Sequence, residues 1–234
     1  MLVVLGYNLA ISEDWYHSGR MTVSAETQRE RAISLLRQHG MARASELLAA
    51  GITAATISRM LANDEVIQLS RGLYQLPDAP SDVNNALAQA AKRVPNGVIC
   101  LTSALAFHEL TDTIPSRVWV AIGSKDWKPV ATSPAIQFVR FGPKVLNKGI
   151  HEHVIEGVPV RIYDTAKTIV DLFRYRRSAG RRYQKSPGLN LAIEGLREAL
   201  RQRKATPSEI ARYATDAGVW KVVQPYLEAM TASV

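Results

Sequence analysis

The feature that most constrains the fold is the order of the first elements, three short helical patterns followed by two alternating β runs. The helical patterns cover residues 22–38, 44–50 and 54–62, and a glycine ends each of the first two. The β runs lie within residues 66–76, on either side of a Ser-Arg-Gly turn that is typical of a hairpin. This order predicts a winged helix-turn-helix domain over residues 21–78.

The third helical pattern is the one expected to present side chains to a partner. Thr53 precedes it, and a threonine hydroxyl at that position caps a helix by accepting a hydrogen bond from a backbone N–H. The spacing of Ile57 and Leu61 predicts that both are buried. The residues expected on the exposed face are Ala55, Thr56, Ser58 and Arg59. In the second helix, Leu47 and Leu48 are expected to point inward.

The second helix of a helix-turn-helix motif enters the major groove of DNA, so residues near its N-terminus reach base edges. We therefore expect Ala55, Thr56 and Arg59 to face the bases. A guanidinium group can contact O6 and N7 of one guanine together, which makes Arg59 the expected specificity residue. A winged helix that serves only protein–protein contacts is the alternative.

Residues at the edge of the same surface are expected to contact the DNA backbone. Thr53 and Ser58 are placed for phosphates, and Arg71 in the wing for phosphates or the minor groove. Gly72 allows the wing to turn. The predicted DNA-binding residues are Arg43, Thr53, Ala55, Thr56, Ser58, Arg59, Arg71 and Gly72.

The charge distribution complicates this prediction. The chain carries a formal net charge of +8 with a pI near 9.7, which suits a polyanionic partner. Residues 22–78, however, contain equal numbers of arginine and acidic residues and are neutral overall. DNA binding by this domain therefore requires its arginines to cluster on one face, or help from another segment.

The positive charge is concentrated in residues 172–204, where lysine and arginine greatly outnumber the two glutamates. Three interpretations remain open for this segment: a DNA phosphate-binding face, a docking face for an acidic protein, and a solvated helix surface. The residues assigned to this predicted basic face are Arg174, Arg176, Arg177, Arg181, Arg182 and Lys185.

The rest of the chain mixes helices and strands, which predicts an α+β fold with C-terminal helices in a second domain over residues 82–234. Pro77-Asp78-Ala79-Pro80 is interpreted as the linker. Predicted helices cover 82–93, 102–110, 165–175, 189–203, 207–216 and 219–230; predicted strands cover 97–101, 117–122, 136–141 and a hairpin over 154–163. Thr102 and Asp164 are expected to be helix caps, and Asp171 a partner of nearby arginines.

The start of the chain has two interpretations. The apolar run 1–11 is too short to span a bilayer and lacks the features of a secretory signal, so no membrane partner is expected. Residues 1–20 are therefore interpreted as an arm, or Met21 as the natural start. Cys100 is the only cysteine, so no intramolecular disulfide is possible and a cytoplasmic location is expected.

Signals for catalysis are weak. His151 and His153 alternate along a predicted strand, but no third metal ligand stands at a recognisable spacing. Glu156, Asp164 and Lys167 are too loosely spaced to predict a nuclease site. No nucleotide-binding glycine pattern occurs. The sequence thus predicts a protein with no metal, no cofactor and no enzymatic activity.

The chain resembles the AbiEi-type antitoxins of bacterial toxin–antitoxin operons over most of residues 24–177. No single motif is diagnostic, but their order and spacing together carry the resemblance. The matching segments are Arg31–Leu36, Arg43–Ile52, Ser70–Tyr74, Leu101–Asp112, Pro115, Val118–Ile122 and Asp164–Arg176.

This resemblance implies two activities. The winged helix would bind double-stranded DNA at inverted repeats in its own promoter and repress the operon. The C-terminal domain would neutralise a nucleotidyltransferase-like toxin without forming a stable complex with it. Two alternatives stay open, a nuclease delivered to DNA by its winged helix and a ligand-sensing repressor without a toxin.

Overall fold

The computed structural model describes residues 26–79, 83–128, 133–176 and 187–232 and has the predicted α+β fold. Its helices are α1 (Gln28–His39), α2 (Ala44–Ala49), α3 (Ala54–Ala62), α4 (Asn85–Arg93), α5 (Leu101–Phe107), α6 (Pro143–Leu146), α7 (Thr165–Arg174), α8 (Leu189–Arg201), α9 (Pro207–Asp216) and α10 (Trp220–Thr231). Its strands are β1 (Met41–Arg43), β2 (Ile67–Ser70), β3 (Leu73–Gln75), β4 (Val98–Ile99), β5 (Val118–Gly123), β6 (Ile136–Phe141), β7 (Ile150–Ile155) and β8 (Val158–Tyr163).

The first part is a winged helix. Helices α1 to α3 pack around a small core that includes Leu36, Leu47 and Ile57. Strands β2 and β3 form the predicted hairpin, and β1, which the sequence pattern did not reveal, adds a third antiparallel strand beside β3. Three residues are too few for an alternating pattern to be recognised, so only the pairing with β3 identifies β1 as a strand.

Local details of the winged helix differ from the sequence-based expectations. Helix α1 begins at Gln28 rather than at residue 22, because Thr27 and Glu30 form a capping box that sets its start. Leu48 is 51% exposed, because a helix as short as α2 turns only one of its two leucines to the core. In α3 the core residue after Ile57 is Met60, and Leu61 is only half-buried.

The second part is built on a five-stranded mixed sheet with the order β6-β5-β4-β8-β7. Strands β5 and β6 are parallel, as are β4 and β8, and the other two pairs are antiparallel. Side chains of β5 alternate between two cores, since Val120 and Ile122 pack on the α4 side and Ala121 packs on the side of α5 and α7. Helices α8, α9 and α10 complete the layer around α7.

Several expectations for this part are corrected. Helix α5 begins at Leu101 after Cys100, so Thr102 lies inside the helix and is buried instead of capping it. Strand β7 extends back to Ile150, and α6 was not predicted. Asp164 caps α7 as expected, accepting a hydrogen bond from the Lys167 N–H at 2.7 Å.

The two parts are packed against each other. Met41 and Leu73 of the winged helix belong to the same core cluster as Val160 of β8. Lys92 of α4 forms a 2.9 Å ion pair with Glu46 of α2, which ties the second part to the helix-turn-helix. The division into 21–78 and 82–234 stays a prediction, and residues 1–20 lie outside the described residues. None of the helices in the described ranges has the length and hydropathy that a bilayer-spanning segment requires.

Candidate nucleic-acid interface

The N-terminus of α3 is held in place by one side chain from α1. Oε1 of Gln28 accepts hydrogen bonds from the backbone N–H and hydroxyl of Thr53, both at 3.1 Å, and from the hydroxyl of Thr56 at 2.8 Å. Thr53 caps α3 as predicted, its hydroxyl accepting from the Thr56 N–H at 3.3 Å. Gln28 was not recognised from the sequence, because a polar residue at the start of a helix carries no signal of a partner 25 positions away.

Thr56 does not face the solvent as predicted. Its side chain is only 7% exposed, and its hydroxyl lies among Gln28, Thr53 and Arg59. The reason is that α1 crosses the start of α3 on this side, so the position covered by Gln28 cannot also face a groove. Thr56 is therefore a buried contact at the start of α3 instead of an exposed residue.

The remaining predicted residues of α3 are exposed. Ala55, Ser58 and Arg59 share the free surface of the helix. The guanidinium of Arg59 lies along its own helix, where Nη2 donates to the Thr56 hydroxyl at 3.2 Å and Nε to the Ala55 carbonyl at 3.4 Å. These contacts are long, so they hold the guanidinium loosely near the N-terminus of α3.

A cleft of about 420 Å³ opens between the first turns of α1 and α3, with Arg59 on its wall. In the same cleft, Arg29 forms a 2.6 Å ion pair with Glu65. Glu65 thereby neutralises Arg29 but leaves Arg59 without an ion-pair partner in the described structure. Among the described residues that line this cleft, Arg59 is thus the arginine whose charge is not compensated by an ion pair.

The wing places the second group of predicted residues. Arg71 is exposed at the hairpin turn, and Gly72 has a positive φ of 70° that favours glycine. The Gly72 carbonyl accepts a 2.9 Å hydrogen bond from the Ala44 N–H, which fixes the wing to the start of α2 next to Arg43. Arg43 and Arg71 consequently line one groove of about 330 Å³.

The winged helix also matches a known family in sequence. Residues 30–77 match the AbiEi antitoxin family of transcriptional regulators. The match runs from the first turn of α1 through the wing, so it covers the helix-turn-helix and both hairpin strands. It confirms the resemblance over this AbiEi segment, and it supports a DNA-binding regulator of the antitoxin type.

The overall architecture also resembles known structures. The crystal structure of the RV2827C protein from Mycobacterium tuberculosis superposes with a TM-score of 0.52 at 13% identity, covering 88% of this chain and 80% of that chain. At this identity the similarity concerns the fold. No curated protein matches the chain significantly.

The predicted basic face is only partly visible. Arg177, Arg181, Arg182 and Lys185 lie outside the described residues. Arg174 is exposed, whereas Arg176 is half-buried and donates to the Phe173 carbonyl at 2.7 Å. Further along, ion pairs with Glu198 and Glu109 engage Arg201 and Lys204. The use of this face stays a prediction.

The residues considered for a nuclease are engaged in separate structural roles. Glu156, in the β7–β8 turn, accepts a 2.6 Å hydrogen bond from Asn85, and Asp164 accepts one of the same length from the Tyr213 hydroxyl. Lys167 is buried and pairs with Asp171, one turn further along α7.

Asp171 was expected to be a partner of nearby arginines, but its hydrogen-bonded partner is Lys167; Arg174 acts on it only through its charge. It is fully buried, and burial raises the pKa of its carboxyl group while the Lys167 ammonium opposes that rise. The Lys167 ammonium also lies over the rings of Tyr163 and Phe141. This buried pair belongs to the core of the second part.

His151 and His153 have different surroundings. His151 is exposed, while the ring of His153 packs against Phe107 at a centroid distance of 4.8 Å. Across the described ranges, no group of three histidine, cysteine or acidic side chains is arranged to hold a metal ion.

Proposed function

We propose that this protein is an antitoxin and transcriptional autorepressor that binds inverted repeats in its own promoter through α3 and the wing. The observation that carries the proposal is the AbiEi match over the winged helix, together with a capped α3 whose outer face is free. In this proposal Arg59 reads bases, while Thr53 and Ser58 contact phosphates.

The distribution of ion pairs supports a DNA-binding role for this neutral domain. Arg29 and Arg31 are engaged by Glu65 and Glu26. In the described part of the chain, the other arginines of the domain form no ion pair; these are Arg37, Arg43, Arg59 and Arg71. Because both of these ion pairs involve arginines of α1, the arginines of α3 and the wing keep their positive charge where DNA contact is proposed.

The second proposed activity is neutralisation of a nucleotidyltransferase-like toxin encoded beside this gene. It is supported by the family description, since antitoxins are defined by a toxin partner. Co-expression tests it directly. Cells that express the neighbouring gene should survive only with this chain present, and failure of rescue would leave a regulator without a toxin.

The DNA-binding proposal is tested by fluorescence anisotropy with labelled promoter DNA and scrambled DNA of equal length, at several salt concentrations. We expect tighter binding to the promoter near physiological salt, with an affinity that falls steeply as salt increases. Equal weak binding to both DNAs would contradict the proposal and favour a winged helix used for protein contacts.

One observation favours the ligand-sensing alternative. A largely apolar cavity of about 360 Å³ lies between α4 and α5, lined in part by Leu87, Phe107, Ile114 and Val118. A cavity of this size is within the range that holds small molecules. A metabolite that releases the protein from promoter DNA, with no toxin gene nearby, would support this second function.

A further inference from the structure

A groove at the junction of the wing and the second part brings together three arginines from distant points in the sequence. Arg43 at the start of α2, Arg71 in the wing and Arg93 at the end of α4 all line it. No carboxylate lines the groove among the described residues. We call this site the wing-junction groove.

The position of Arg93 in this groove is set by its neighbour. Nζ of Lys92 contacts both carboxylate oxygens of Glu46, at 2.9 and 3.1 Å. The same carboxylate accepts a 2.6 Å hydrogen bond from the backbone N–H of Arg43. Glu46 therefore joins the end of α4 to the start of α2, and this brings Arg93 beside Arg43.

The guanidinium of Arg93 is unsatisfied in this position. Its Nε and Nη2 atoms are buried and have no hydrogen-bond partner within the described part of the chain. Burial, and then the charge of Arg43, lower the pKa of Arg93. Guanidinium groups that are close together and lack a counter-charge are unfavourable unless an anion enters between them.

An exposed aromatic residue stands at the edge of the groove. Trp127 is 77% exposed and lines the groove with the three arginines. The guanidinium of Arg140 holds the turn before Trp127, donating to three carbonyls, those of Gly123, Ser124 and Asp126, at 2.7–2.9 Å. These hydrogen bonds fix the backbone just before Trp127 and so place this residue at the edge of the groove.

We propose that the wing-junction groove binds a phosphate of the DNA backbone, with Arg93 and Trp127 of the second part acting together with Arg43 and Arg71. Guanidinium groups match phosphate geometry by donating paired hydrogen bonds, and the indole face contacts the adjoining deoxyribose. The second part then contacts DNA directly, in addition to the antitoxin activity proposed for it. This assignment rests on the proposed function, which places DNA at the wing.

The test compares wild type, Arg93→Ala, Arg93→Lys and Arg212→Ala in the anisotropy assay on promoter and scrambled DNA. Arg212 is an exposed arginine of α9, so its loss controls for net charge. We expect Arg93→Ala to weaken binding to both DNAs about ten-fold and to reduce the salt slope by about 1. Arg93→Lys should retain part of the affinity, and Arg212→Ala should match wild type.

Tryptophan emission provides a second readout. DNA should quench the emission of wild type, and Trp127→Phe should lose part of that quenching. Unchanged quenching in Trp127→Phe would contradict a contact at this edge of the groove. Circular dichroism melting checks that each variant is folded.

The possible outcomes distinguish failure of the groove proposal from failure of the proposed function. If wild type prefers its promoter but Arg93→Ala keeps the full affinity and salt slope, the groove does not contact DNA while the regulator stands. If wild type shows no promoter preference, the proposed regulator is wrong, whatever the effect of Arg93→Ala. If inorganic phosphate binds in an Arg93-dependent way and DNA affinity does not change in Arg93→Ala, the groove is a small-anion site and the proposal is overturned.

Discussion

Gly40, which ends α1, lies directly against the backbone of Glu156 in the β7–β8 turn. A Cβ atom at Gly40 would overlap the carbonyl oxygen of Glu156. The contact is reciprocal, because a Cβ at the neighbouring Gly157 would come within 2.9 Å of the His39 carbonyl carbon. Two glycines thus allow the winged helix and the second part to meet backbone to backbone.

Gly40→Ala should separate these two backbones. The residue has a φ of 67°, so alanine would be strained there as well as clashing with Glu156. We expect the free energy of unfolding to fall by about 3 kcal/mol, as measured by chemical denaturation.

Gly218→Ala is the matched control. Gly218 has a similar φ of 69°, but nothing lies within 4 Å of the Cβ it lacks. Gly218→Ala should therefore lower the free energy of unfolding only through backbone strain, by about 1 kcal/mol. Equal losses in both variants would show that the contact with Glu156 does not hold the two parts together.

Gln28→Ala should loosen the start of α3. One side-chain oxygen accepts all three hydrogen bonds from Thr53 and Thr56, so its removal leaves those donors to water. We expect about 1–2 kcal/mol less stability, measured by chemical denaturation. Gln28→Glu retains an acceptor oxygen and should stay close to wild type; a loss as large as that of alanine would assign the effect to packing.

Arg59→Ala should weaken binding to the promoter by about 1–3 kcal/mol and reduce sequence specificity. The reason is that Arg59 carries a long, exposed side chain whose guanidinium group can reach base edges from α3. Arg71→Ala, which removes a proposed backbone contact, should instead weaken binding evenly on promoter and scrambled DNA. The comparison is made by anisotropy on both DNAs. Unchanged promoter affinity in Arg59→Ala would remove this residue from the interface.

His108 should make the stability depend on pH. Its Nε2 lies 2.7 Å from the Tyr163 carbonyl oxygen and therefore donates to it. Burial lowers the pKa of His108, and the charges of His153 and Lys204 add to this, while the Tyr163 carbonyl and Asp164 oppose it.

The sign follows from this lowered pKa. The unfolded chain binds the proton of His108 more tightly than the folded protein does. The contribution of His108 to the free energy of unfolding is therefore fully present above the unfolded pKa of about 6.5, and it is lost as pH falls through the lower pKa of the folded state. When pH is lowered from about 7.5 to about 5.5, the free energy of unfolding, measured by chemical denaturation, should fall more in wild type than in His108→Gln. Glutamine retains a hydrogen-bond donor but does not titrate. The exposed His151→Gln is the control. Equal pH dependence in wild type and His108→Gln would contradict the assignment.

Removing either Lys167 or Asp171 alone should destabilise the protein. Both are buried, so loss of either partner leaves an uncompensated charge in the core. We expect Lys167→Met or Asp171→Leu to lower the free energy of unfolding by about 3–5 kcal/mol, and the double variant to recover most of that loss. A double-mutant cycle by chemical denaturation measures it, and additive losses would contradict the pairing.

Much of the secondary structure could be predicted because its signals are local. Helix α3 over Ala54–Ala62, α9 over Pro207–Asp216 and β6 over Ile136–Phe141 have the predicted bounds. Capping residues and periodicity act over a few neighbouring residues, so the chain carries this information without its fold. The spacing of Thr27 and Glu30 in the capping box is a local signal of the same kind.

The interface was predicted less completely, because its geometry depends on how elements cross. The positions Ala55, Ser58 and Arg59 are exposed as expected, but Thr56 is covered by α1. Helical periodicity indicates which residues share a face of α3, but it does not indicate which part of that face another helix will occupy.

The amino-acid sequence by itself therefore determined the winged helix, its wing and the family resemblance. Only the tertiary structure decided that Gly40 meets Glu156, that Asp171 pairs with Lys167 inside the core, and that Arg93 joins two arginines of the winged helix. The Gly40–Glu156 contact and the arginine groove join residues far apart in the chain. Burial of the Lys167–Asp171 pair depends on the layers packed around α7. Such relationships arise from packing between elements, which no local pattern records.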